Sequence, residues 1–139
     1  MIRKIYSIFL VFLIIAIAVL NFYAYQFHWY FYFWWFDIVM HTLGGIWVGS
    51  VALWLRYFRN EGAEKVVLSK VAVSLFSVAS VYVVGIGWEL FEFSLDKFIT
   101  FKIHDMTNTA SDLFFDGVGS ILAVFIFMVV YNVNRKIEK

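Results

Sequence analysis

Long apolar runs with charges confined to their ends dominate the pattern of this chain. Four such runs occupy about residues 5–25, 36–57, 69–95 and 110–133, separated by an aromatic, a basic and a short polar stretch. Each is close to the roughly 20 residues a helix needs to cross a hydrocarbon layer about 30 Å thick. Strands of a barrel would instead alternate over about ten residues, with repeated turn signals. The pattern therefore predicts an all-α, polytopic membrane protein, with four transmembrane helices forming a single domain over residues 1–139.

Composition narrows the classes further. The 139 residues are 63% hydrophobic and 15% charged, with a mean hydropathy of +0.83, whereas a soluble domain is about half apolar and a quarter charged. The absence of cysteine excludes disulfides, thiolate metal centres and thiol catalysis. A formal net charge of +1 offers no basic field for nucleic acid. Arg3 and Lys4 ahead of the first run suggest a signal peptide, but the run is longer than a typical signal core. Bulky Asn21-Phe22-Tyr23 stands where a cleavage site needs small residues, so the run reads as a retained span.

Charge placement sets an orientation. Nine of the eleven basic residues (Arg3, Lys4, Arg56, Arg59, Lys65, Lys70, Arg135, Lys136 and Lys139) fall on one side of a four-span chain, and only Lys97 and Lys102 on the other. Positive charge collects on the cytoplasmic side. Both termini are thus expected in the cytoplasm, N-in and C-in, in a multi-pass protein of the cell membrane. The run from Phe27 to Phe36 is aromatic except for His28. It reads as an interfacial belt, with His28 as an interfacial hydrogen bonder; the alternative is a cage for a quaternary ammonium headgroup.

Given that topology, the ionisable residues of the last three spans fall at one depth. Asp37 and His41 are four apart, Glu89 and Glu92 three apart, and Asp112 and Asp116 four apart, so each pair shares a helix face. Small residues (Gly44, Gly45 and Gly49, then Gly85, then Gly119 and Ala123) continue these faces away from the acids, which turns them toward one another. Ser74 and Ser77 add a weakly polar track, or an ordinary helix contact. Five carboxylates in a low-dielectric site must be protonated, paired or bound to a cation. Lys97, Lys102 and His104 would neutralise some; a divalent ion would do so more completely. Oxygen-rich ligation with imidazole suits Mg, Mn, Ca, Zn or Fe. His41, Glu92, Asp112 and Asp116 are the candidate ligands, with Glu89 or Asp37 as general base. Asp105 and His104 read as surface residues, and Asn108 and Ser111 as helix caps.

The segments Asp37-Ile-Val-Met-His41, Trp88-Glu89-Leu-Phe-Glu92 and Asp112-Leu-Phe-Phe-Asp116-Gly-Val-Gly119, in this order, resemble the VanZ-like proteins named for low-level teicoplanin resistance. They are similar also to YjdF-like inner-membrane proteins, in which a stretch shaped like Asn108-Thr-Ala-Ser-Asp112 leads into a glycine-containing helix. VanZ-like sequences usually carry asparagine where Asp116 stands and an arginine before the last span, whereas this chain has no arginine between Arg59 and Arg135. The resemblance, over residues 37–120, implies a four-to-five-span envelope protein and transfers no reaction.

Three functions compete. One is a metal-dependent enzyme acting on a lipid or lipid-linked headgroup. Another is a proton- or cation-coupled transporter or sensor, in which an oligomer supplies the path. The third is a non-enzymatic envelope or antibiotic-resistance factor that binds lipid or a partner protein. Membrane lipids are the partners common to all three.

Overall fold

The computed structural model describes residues 2–59, 69–100 and 105–137, and among these there is no strand. The elements are α1 (Ile2–Gln26), the single turn α2 (Trp29–Tyr32), α3 (Phe36–Leu53), α4 (Lys70–Leu95) and α5 (Met106–Ile137). One π-helical turn, Trp54–Phe58, prolongs α3 and another, Asp96–Thr100, prolongs α4. The stretches Arg3–Gln26, Phe36–Phe58, Lys70–Ile99 and Met106–Val133 are long and apolar enough to cross a membrane. The four apolar runs are thus the four long helices.

The boundary that differs most is the start of α5. Asp105 Oδ1 accepts the Thr107 N–H at 2.9 Å and caps the helix four residues ahead of the expected start. Asn108 and Ser111, expected as caps, therefore lie inside α5. Ser69 caps α4 as its position implies, its Oγ accepting the Ala72 N–H at 3.4 Å. Lys102 and His104 lie outside the described residues.

Small residues decide how the helices pack. Lipid offers no hydrophobic drive between helices, so association rests on close approach at glycine, alanine and serine. The most extensive contact is between α3 and α5, with α4 packed on both and α1 lying chiefly on α3. A Cβ on Gly45 would run into the Asp116 backbone, and one on Gly119 into the Thr42 carbonyl. One turn on, a Cβ on Gly49 would come within 2.7 Å of Ser77 Oγ and 2.9 Å of the Ala123 Cβ, so three helices meet there. The Ser77 and Ser120 hydroxyls lie 3.0 Å apart, fully buried, which makes Ser77 a helix contact.

An apolar cluster closes the end at which both termini emerge. Tyr6 from the start of α1, Phe58 from beyond α3, Val73 from the start of α4, and Phe127 and Tyr131 from late α5 pack together. The π turn, closed by Arg59 N–H donating to the Trp54 carbonyl at 3.0 Å, carries Phe58 into that cluster. An ordinary α-helical turn would rotate Phe58 away. Elsewhere α1 turns Ile8, Phe12 and Ile15 outward. It is tied to α3 by Trp47 Nε1 donating to the Leu10 carbonyl at 3.0 Å.

At the opposite end the aromatic link folds back on the bundle. His28 takes a left-handed conformation, φ 56°, that turns the chain out of α1. The Tyr30 hydroxyl donates to Asn21 Oδ1 at 2.7 Å, and the Trp29 and Tyr30 rings meet Phe36 edge-on at 5.5 and 5.1 Å. Phe31, Tyr32 and Trp34 stay exposed, as an interfacial belt requires.

Candidate functional site

The α3–α5 crossing at Gly45 and Gly119 brings Asp37, His41, Asp112 and Asp116 together at the aromatic end. His41 is the centre. Its Nε2 lies 3.8 Å from Asp37 Oδ1 and 3.7 Å from Asp112 Oδ1, and its Nδ1 lies 3.3 Å from Asp116 Oδ1. The two Nε2 separations are too long for hydrogen bonds. They are shorter than the separation of about 4.2 Å between two atoms on opposite sides of an ion about 2.1 Å from each, so both atoms are within reach of one ion. Asp37, His41 and Asp112 each offer a ligand atom, all within 4.8 Å of one another.

Two further side chains orient this triangle. Asp116 holds the far ring nitrogen of His41, the arrangement by which metal-binding imidazoles are fixed in tautomer and direction. Asn108 Nδ2 donates to Asp112 Oδ2 at 2.6 Å and reaches Asp37 Oδ2 at 3.4 Å, leaving the Oδ1 atoms of both carboxylates turned to His41. The side chains of Asp37, His41 and Asp112 are 33, 12 and 2% exposed, so the triangle opens on the Asp37 side. Asn108 was expected only as a helix cap, although its spacing of four from Asp112 puts both on one face.

The two glutamates of α4 part company. Glu89 is buried, and neither of its carboxylate oxygens has a hydrogen-bond partner among the described residues. It lies within electrostatic reach of Asp112 and Glu92. Glu92 is only half-buried, and its Oε1 accepts from Trp88 Nε1 at 2.8 Å on its own helix. The structure thus places Glu92 and Asp116 outside the converging triangle and Asp37 within it. Close helix contact continues at Gly85, where a Cβ would stand 2.5 Å from Asp116 Oδ2. Lys97 rests its Nζ over the Phe93 and Phe98 rings, at 5.9 and 5.4 Å.

A groove of about 930 Å³ leads away from the acids between α1 and α4, floored by α3. Asp37, His41, Glu92 and Asp116 line one end, under Tyr25, His28, Tyr30 and Trp88, while Ile17, Val48, Val81 and Val84 line the rest. Burial pushes the Tyr30 phenol up to about 12, and the charges of Asp37 and Glu92 push the same way, so it stays a donor at neutral pH.

No curated protein and no solved structure matches the chain. A family profile does, over residues 1–133, and it agrees with the four apolar helices and the absence of strand among the described residues. The chain belongs to the family described as "Predicted membrane protein (DUF2238)".

Proposed function

We propose that this protein is a metal-dependent membrane enzyme acting on a lipid or lipid-linked headgroup, with Asp37, His41 and Asp112 as the ligands of one divalent ion. The carrying observation is the convergence of Asp37 Oδ1, His41 Nε2 and Asp112 Oδ1, with Asp116 and Asn108 engaging the atoms that point away. A polar cluster that only joined helices would need no such convergence of three ligand atoms. A bound ion supplies Lewis acidity and an acidified water at neutral pH. Glu89, buried with neither oxygen hydrogen-bonded among the described residues, is the group for proton transfer. In this reading Asp37 is a ligand, Asp116 positions His41, and Glu92 faces the groove.

The resemblance to VanZ-like and YjdF-like sequences supports an envelope setting, and the basic residues support N-in, C-in insertion of a single four-helix domain. Transport by one copy finds less support. Beyond the acids the bundle is closed by the Gly49, Ser77 and Ala123 contact and then by the apolar cluster.

Elemental analysis of detergent-purified protein, with and without chelator, tests the centre. One divalent ion per chain is expected, and it is lost in the His41→Ala/Asp112→Asn variant. Absence of metal after incubation with magnesium, manganese, calcium or zinc overturns the reading.

A further inference from the structure

The groove holds a second message, carried by Glu92. α1 and α4 both flank α3, and the groove is lined from Ile14 to Tyr25 on α1, Asp37 to Val48 on α3 and Val81 to Leu95 on α4, along the depth that the spans cross. Hydrocarbon is the solvent there, and along most of its length the groove offers only aliphatic walls, from Ile17 and Val48 to Val84. Its polar end is one-sided in charge. Among the described residues no lysine or arginine lines it, and both nitrogens of His41 face aspartates.

Glu92 lines this end without joining the ligand triangle. Trp88 fixes one of its oxygens at 2.8 Å, and Tyr25, Tyr30 and Phe91 line the same space. A carboxylate held among aromatic rings, with no lysine or arginine beside it among the described residues, is complementary to an ammonium group. An anionic head without an amine would place like charge beside Glu92.

We propose that the groove seats one membrane lipid whose headgroup carries a cationic amine, the amine beside Glu92 and the chain running between α1 and α4 over the glycine-opened face of α3. This deepens the enzyme reading and takes from it only that the occupant is a lipid. Gly44 provides the means to test it. It lines the groove floor, and a Cβ added there meets no atom within 4 Å, so a larger side chain starts into the groove rather than into a helix contact. Gly87 is equally open but is not among the groove residues, and serves as the control.

The experiment uses purified protein in phosphatidylglycerol nanodiscs doped with diazirine-tailed phosphatidylethanolamine or its N-acetylated form. Labelled peptides of α1 and α4 are read by mass spectrometry. Wild type is expected to favour the free amine by about tenfold. Glu92→Gln brings the two lipids level while labelling continues, Gly44→Leu removes labelling by both, and Gly87→Leu matches wild type. Equal labelling by the two lipids in wild type, or undiminished labelling in Gly44→Leu, overturns the proposal. Chelator separates the two readings. Labelling that persists in chelator, in protein that holds no metal, leaves the lipid seat standing while the metal centre falls. Amine preference lost with the metal overturns the Glu92 assignment.

Discussion

His41 carries the densest set of consequences for its size, because both ring nitrogens are spoken for by different aspartates. If Asp116 only positions the ring, Asp116→Asn weakens metal binding by about 10- to 100-fold and leaves one ion per chain at saturation. Asp112→Asn removes the ion altogether, and titration calorimetry on the two variants distinguishes the roles. Much of this cluster was legible, since spacings of four put Asp37 with His41 and Asp112 with Asp116. The division of the glutamates was not. A spacing of three leaves two side chains roughly 60° apart around the helix, enough to bury Glu89 and turn Glu92 to the groove. Asn108 was hidden for another reason, because an amide near a helix start looks like a cap until the start itself moves to Met106. His28 makes a separate prediction. Its positive φ costs a non-glycine residue about 1 kcal/mol, so His28→Gly raises stability by up to about that amount in a denaturation series. Unchanged binding of the doped lipid would assign its imidazole no role at the groove.

Adjacent glycines of α3 do opposite things, and no reading of composition distinguishes them. Successive helical residues are about 100° apart, so Gly45 presses on the Asp116 backbone while Gly44 faces open space. The stripe of small residues expected to run inward therefore divides between contact and groove. The crossing of α3 on α5 sets the distance from His41 to both aspartates of α5, which ties the site to the packing. Gly119→Ala, whose Cβ meets the Thr42 carbonyl, should cost about 1–3 kcal/mol through overpacking and lower metal affinity with it. Gly44→Ala should be neutral or slightly stabilising, since alanine is the better helix former. Reversible unfolding in mixed micelles, read by tryptophan fluorescence, compares the two. Helix existence was plain from the apolar runs, yet the π turn at Trp54–Phe58 left no sequence signal, being an insertion of one backbone step that shows only in where Phe58 points.

Whether the proposed metal centre and lipid seat face the outer or the inner leaflet depends on how the whole bundle inserts. The basic residues argue for N-in, C-in, which puts the aromatic end and the site outside. Because the chain has no cysteine, single cysteines report side directly. Tyr32 is exposed at the aromatic end and Lys70 at the end shared with the termini. In intact cells a membrane-impermeant maleimide should label Tyr32→Cys and spare Lys70→Cys, which becomes reactive only after permeabilisation. The reverse pattern would leave the geometry of His41 and its aspartates untouched, since that geometry owes nothing to sidedness. It would instead move the amine-bearing lipid to the cytoplasmic leaflet, and with it the place where any headgroup reaction has to be sought.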